Sequence, residues 1–227
     1  MLANSTNSKR HAGRINVSIL GAGAVGLGLA ATLHQASASV RLITRPENPQ
    51  PKLSSQGLRR HGLFGTAHAP PTAIPVESSL ESLQRHPTDF VMICTKTTAI
   101  PTVTQQLAEI WPRLKTKPSI VLCQNGWGSA QIVAKHLPTR HVFSSRVITG
   151  FHKTGPSSVE ITAHAQPIRI GSLFQQDPSV LEPLCEALSQ GGIPAEISAS
   201  IDRDLWAKML YNCALNPLGA LMRVPYG

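Results

Sequence analysis

Three residues near the end of the chain could do chemistry together: Lys208, Asn212 and Asn216, within LWAKMLYNCALNP (Leu205–Pro217). They are spaced i, i+4 and i+8. At about 100° per residue, a helix turns that spacing into a narrow row with about 40° of drift per step. Leu205, Met209, Leu210, Cys213 and Leu215 spread over the rest of the circumference, so most of this helix is expected to be buried. An isolated lysine charge is very costly in an apolar interior, and must be paired or kept near water. The row therefore either faces solvent or lines a cavity where something polar binds.

A second chemical signature lies near the start. Gly21-Ala22-Gly23-Ala24-Val25-Gly26 fits G-x-G-x-x-G, with the strand-like INVSIL before it and the helix-like LGLAATLHQA after it. Strand, glycine loop and helix together are the context in which this pattern binds a dinucleotide. Gly21 permits the tight turn, Gly23 lets a pyrophosphate approach the backbone, and Gly26 lets the helix pack close to the strand. The helix start adds free N–H groups and a partial positive charge. The next strand, SVRLIT, ends at Arg45, where NAD-specific sites usually carry an acid for the ribose 2′-OH. Arginine can pair with a 2′-phosphate through its planar fork, which favours NADPH over NADH. The alternative is a solvent-facing Arg45 with Glu47 doing the selecting.

The elements that must position these groups alternate. DFVMICTK and SIVLCQNG read as further strands, Ile100–Leu114 and Ser129–His136 as helices. This is the pattern of right-handed βαβ units in a parallel sheet. Residues 46–75, rich in Pro, Gly and Ser, read as loop with one short strand near Gly62–Gly65. HVFSSRVIT, SSVEITA and PIRIGS suggest a final group of strands, followed by a helix at Leu181–Gln190 and the short strand AEISA. Asp202 or Asp204 is the expected N-cap of the last helix. The expected organisation is a polar basic leader at 1–14, a dinucleotide-binding domain at 15–200, and the first helix of a second domain at 201–227.

Composition narrows the class. Hydrophobic content of 41% against 15% charged residues fits a globular protein and excludes a disordered one. No apolar run reaches the roughly 18–20 residues needed to cross a bilayer, so no membrane partner is expected. Cys94, Cys123, Cys185 and Cys213 lie in apolar runs without C-x-x-C spacing, which reads as reduced core thiols in a cytoplasmic protein; no metal site is expected. Of the net +9, residues 1–76 carry +7. Part of this is the acid-free leader MLANSTNSKRHAGR, read as a disordered tail, with a mitochondrial presequence as the alternative. A basic surface can mean nucleic acid, but there is no basic helix, zinc knuckle or RNP-like strand, and an anionic small molecule explains a basic cleft equally well. No nucleic-acid partner is expected, and that reading, resting on net charge alone, comes third.

With GAGAVG, CTK (Cys94–Lys96), QNGWG (Gln124–Gly128) and LWAKMLYNCALNPLGAL (Leu205–Leu221) in this order, the chain resembles the ketopantoate reductase (2-dehydropantoate 2-reductase) family from Ile15 onward. The resemblance implies an α/β, Rossmann-type NADPH-binding domain joined to a helical domain, with a 2-keto acid between them. It implies reduction of ketopantoate to pantoate, a step of pantothenate and coenzyme A biosynthesis. It further implies that Lys208 is the general acid, that Asn212 and Asn216 hold the substrate, that Asn125 contacts nicotinamide and substrate, and that Lys96 serves the cofactor. The chemistry agrees: hydride addition to a ketone builds negative charge on oxygen, which a cationic donor stabilises and protonates. Asn125 as a simple Asn-Gly turn and Lys96 as a solvated strand-end lysine are the alternatives.

The chain departs from the family where it stops at Gly227, just after the motif helix. The family's later substrate-binding serine and acidic residue have no counterpart, and Tyr226 stands where many members have an asparagine. The expectation is that NADPH binding survives and turnover is weak unless a second subunit closes the cleft, as in a homodimer. A non-catalytic NADP-binding or interaction module of the same fold is the alternative function.

Overall fold

The computed structural model describes residues 14–46 and 50–223. The leader up to Gly13, Glu47 and Tyr226 lie outside the described residues. From the start the chain forms β1 (Asn16–Leu20), α1 (Ala24–Gln35), β2 (Ser39–Ile43), α2 (Pro51–Gln56), β3 (Leu58–Gly62), β4 (Ala67–Ala69) and β5 (Val76–Glu77). Next come α3 (Ser82–Arg85), β6 (Phe90–Ile93), α4 (Ile100–Ile110), β7 (Ser119–Leu122) and α5 (Ser129–Ala134). The order closes with β8 (Val142–Arg146), β9 (Thr149–Gly155), β10 (Ser158–His164), β11 (Ile168–Gly171), α6 (Glu182–Gln190), β12 (Ala195–Ile197) and α7 (Ile201–Met222).

The apolar runs assemble the main sheet in the order β12-β11-β8-β7-β6-β1-β2-β5. Its neighbours are parallel except β8 and β11. The chain leaves β1 on one side through β2 and β5, then returns to its other side as β6. Such a reversal opens a crevice at the carboxyl ends of the strands, where ligands bind in folds of this kind.

Residues 46–75 are not mainly loop. They carry α2, β3 and β4; the strand expected near Gly62–Gly65 lies earlier, as β3 ending at Gly62, and residues 63–65 turn after it. β3 and β4 join β9 and β10 in a second sheet, β4-β3-β10-β9, in which β3 pairs in parallel with β10. Helix α1 lies between the two sheets, touching β1 and β2 on one side and the strands of the second sheet on the other. That sandwich explains why Leu27, Leu29, Ala30, Ala31 and Leu33 are buried around its whole circumference. Arg60 of β3 is buried as well. Its Nη1 donates to Thr32 Oγ1 (2.7 Å) and the Gly191 carbonyl (2.9 Å), and Nη2 to the Phe64 carbonyl (3.2 Å), tying the second sheet to α1.

Helix α7 differs from expectation in two ways. Ser200 precedes it, and Asp202 and Asp204 sit inside its first turn instead of capping it. Only Ile201, Asp204 and Leu205 are buried; Trp206, Leu210, Tyr211, Leu218, Leu221 and Met222 are exposed. Apolar residues on every side implied burial, but α7 packs mainly against β8 and β11, and it reaches the loop after β7 through Trp206 and Lys208. Cys213 is accordingly exposed, unlike the buried Cys123 and Cys185. Among the described residues no helix is long and apolar enough to cross a membrane.

A tight constraint lies at Gly26, where a methyl group would lie 2.0 Å from the Gly21 carbonyl oxygen. Alanine is the better helix former by about 1 kcal/mol, but that gain cannot offset a backbone collision. Gly26→Ala should therefore cost about 3 kcal/mol or more in urea unfolding. Gly23→Ala, whose Cβ meets nothing within 4 Å, should be nearly neutral. Equal stabilities for the two variants would remove the close-packing account.

Candidate active site

The glycine loop stands at the carboxyl edge of the main sheet. Gly21 takes φ +103°, the region glycine favours, and its N–H donates to the Ile43 carbonyl at 2.9 Å. A side chain there would press on the backbone of Cys94 and Thr95. Gly23 precedes α1 with ordinary extended geometry (φ −77°, ψ −178°) and is exposed. No side chain caps the first turn and no acid lies in it, so its N–H groups remain available to an anion.

A cleft of about 730 Å³ opens here, walled by Gly21, Ala22, Gly23, Arg45 and Lys96 among others. That volume suits a small-molecule site. Ala24, Val25 and Gly26 are not on its wall; they begin α1, and Gly26 serves packing. A further hollow of about 370 Å³ adjoins the cleft at Thr44, Arg45 and Thr95. The Thr95 hydroxyl, which borders both, is buried without a hydrogen-bond partner.

Further along the same edge the structure joins two stretches that are 83 residues apart in sequence. Lys208 Nζ donates to Asn125 Oδ1 at 2.5 Å, and also to the Val147 carbonyl. Asn125 follows β7, and Val147 follows β8. Gln124 fixes the Asn125 loop by donating from Nε2 to the carbonyls of Ile93 (2.6 Å) and Thr95 (3.1 Å). The rings of Trp127, in the same loop, and Trp206, on α7, lie 5.3 Å apart and tilted by 38°. Burial, aided by the nearby charge of Arg146, lowers the Lys208 ammonium to a pKa of about 8. From Arg45 after β2 to Val147 after β8 there are four strand steps, or about 19 Å of sheet edge.

Asn212 and Asn216 continue the Lys208 row outward, about 6 and 12 Å further along the axis. Asn212 is half-buried and Asn216 exposed, and neither lines the cleft. The row also extends inward. Asp204, four residues before Lys208, is buried and accepts from Arg169 Nη1 (2.8 Å) and Ser198 Oγ (2.5 Å). Its place in the row is visible in the spacing; its arginine partners, on distant strands, are not.

Residues 17–175 match the family described as ketopantoate reductase PanE/ApbA. The chain belongs to this family. A 2-dehydropantoate 2-reductase of Aquifex aeolicus is 28% identical over 210 residues, which are 92% of this chain and 64% of that protein. The chain thus spans slightly less than two thirds of that relative's length. A solved structure of a PanE/ApbA family ketopantoate reductase from Ralstonia eutropha superposes with a TM-score of 0.74 at 27% identity, covering 94% of this chain and 66% of that one. D-mandelate dehydrogenase, solved with NADH and anilino(oxo)acetate, shares the fold with a TM-score of 0.76 at 21% identity, covering 92% of this chain and 65% of that one.

The depressed Lys208 pKa has a consequence for stability. The folded chain releases this proton near pH 8, whereas an unfolded lysine holds it to about 10.5. Between those values the unfolded state binds more protons, so stability rises with pH. The cost of burying the ammonium is present in full below about pH 8 and gone above about 10.5. Urea midpoints of wild type and Lys208→Met should therefore shift in favour of wild type across that window. A difference that stays constant with pH would refute the assignment.

Proposed function

We propose that the chain binds NADPH along the carboxyl edge of the main sheet and reduces a 2-keto acid, 2-dehydropantoate, to the 2-hydroxy acid pantoate. The observation that carries this reading is the meeting of Lys208 and Asn125 on the same edge as the glycine cleft. The fit of the dinucleotide rests on this chain's own features: the open face of Gly23, the uncapped first turn of α1, and the unpartnered Thr95 hydroxyl. Gly21, Ala22 and Gly23 would hold the pyrophosphate, Arg45 the 2′-phosphate, and Lys96 the phosphates beside them. When bound, the cofactor supplies the hydride.

Lys208 then has the central part. Its ammonium, with a pKa of about 8, is mostly charged at neutral pH yet gives up a proton more readily than an ordinary lysine. It can stabilise the negative charge growing on the ketone oxygen and protonate it from Nζ. Asn125 orients that Nζ from one side and offers its amide nitrogen to the ligands. Asn212 and Asn216, neutral donors and acceptors, suit the substrate's hydroxyl and carboxylate groups. Membership of the PanE/ApbA family and the 2-dehydropantoate 2-reductase relatives support the choice of substrate.

Ketopantoate-dependent oxidation of NADPH, measured in a sample that also titrates NADPH, tests the reading against a non-catalytic nucleotide-binding module. Arg45→Ala should weaken NADPH binding and leave NADH nearly unchanged; equal losses for both would sink the 2′-phosphate assignment. Lys208→Ala should lower kcat by roughly 10²–10⁴-fold with little change in NADPH affinity. An undiminished rate would end its role as the acid.

A further inference from the structure

Asp204 and Lys208 are four residues apart on α7, a spacing at which an acid and a lysine normally attract. Here they form no ion pair. The Asp204 carboxylate is held by Arg169 Nη1 at 2.8 Å, by Arg146 Nη1 at 3.5 Å, and by Ser198 Oγ at 2.5 Å. Lys208 turns instead to two neutral acceptors, Asn125 Oδ1 and the Val147 carbonyl.

The sheet explains the division. Arg146 of β8 and Arg169 of β11 are direct cross-strand partners. Like charges placed opposite each other are destabilising unless an anion lies between them. Asp204 supplies that anion. Glu196 of β12 takes the Nε of Arg169 at 2.6 Å and leaves its Nη1 for Asp204. Arg146 is buried, with Nη2 on the Pro167 carbonyl (3.3 Å) and Nε without a partner, so it is poorly compensated without Asp204. Burial works against the Asp204 carboxylate, but hydrogen bonds from Ser198 and Arg169 and the two arginine charges bring its pKa below the usual range.

We propose that Arg146 and Arg169 are positioning residues for Lys208: by sequestering Asp204 they withhold a counter-ion from the lysine one turn away and keep its proton easily released. The proposal rests on the reading of Lys208 as the proton donor. The groups facing Lys208 are few. Arg146 from β8 and Asp204 from α7 carry the charge, Arg169 and Glu196 from β11 and β12 act through them, and Asn125 from the loop after β7 is neutral.

The test reads Lys208 itself, with the full chain and without need of turnover. Trace acetylation across a pH series, followed by mass spectrometry of the Lys208 peptide, gives the midpoint, expected at about 8 in wild type. Arg169→Gln and Arg146→Gln each remove one of the two cations that hold Asp204, leaving its charge less compensated, and should raise the midpoint by about 1 pH unit. Arg169 is 39% exposed, so its variant decides if Arg146→Gln fails to fold. Asp204→Asn should move the midpoint the other way, below that of wild type, because the charge of Arg146 is no longer neutralised. The double variant Arg169→Gln/Asp204→Asn should lose the rise. A merely structural clamp would loosen α7 and raise the midpoint in every variant, and that result overturns the proposal. So do folded arginine variants with an unmoved midpoint. Opposed shifts without ketopantoate reduction would refute the reductase reading and leave the sequestration standing; turnover with unmoved midpoints would do the reverse.

Discussion

The contact between the start of α1 and the end of β1 sets the geometry of the molecule. The Gly26 Cα sits so near the Gly21 carbonyl that not even a methyl group fits between them. Pressing the helix down at that point aims its first turn at the carboxyl edge of the sheet. It also leaves the rest of α1 to be covered from above. The second sheet does this, and at Gly28 the fit is again limited by one missing side chain: a Cβ would lie 2.4 Å from the Phe151 ring of β9. One helix therefore packs against two sheets within a single core.

The other half of the site depends on charge. Arg146, Arg169, Asp204 and Glu196 bring together the last strands of the sheet and the first turn of α7. Buried or half-buried ion pairs of this kind contribute little net stability, because desolvation offsets most of the attraction. What they fix is arrangement. With Asp204 seated against β8 and β11, the next turn of α7 can only bring Lys208 over the ends of β7 and β8.

Much of this was legible in the sequence. The strands of the main sheet are apolar runs, and the glycine spacing between β1 and α1 carries its own geometry. The second sheet was not legible, since LRRHG of β3 looks like a solvated turn and finds its partner, β10, about a hundred residues later. Arg60 within it is buried only because α1 and the end of α6 offer oxygens that no local pattern reveals. Asp204 read as a cap because Asp before an apolar run usually is one; its arginines come from β8 and β11. The even spread of apolar residues on α7 suggested burial, but periodicity shows which faces are apolar and not what lies against them.

The mounting of α7 has a mechanical consequence. Its buried residues, Ile201, Asp204 and Leu205, and its contacts through Trp206 and Lys208 lie in its first half, and Pro217 removes a backbone donor near the far end. Taken as a rigid rod, it has its buried end near Leu205. A tilt of about 10° about that point would carry Lys208, about 4.5 Å from it, through only about 0.8 Å. The same tilt would carry Asn216, about 16.5 Å out, through about 2.9 Å. For a given tilt, the backbone at Lys208 would move nearly four times less than the backbone at Asn216.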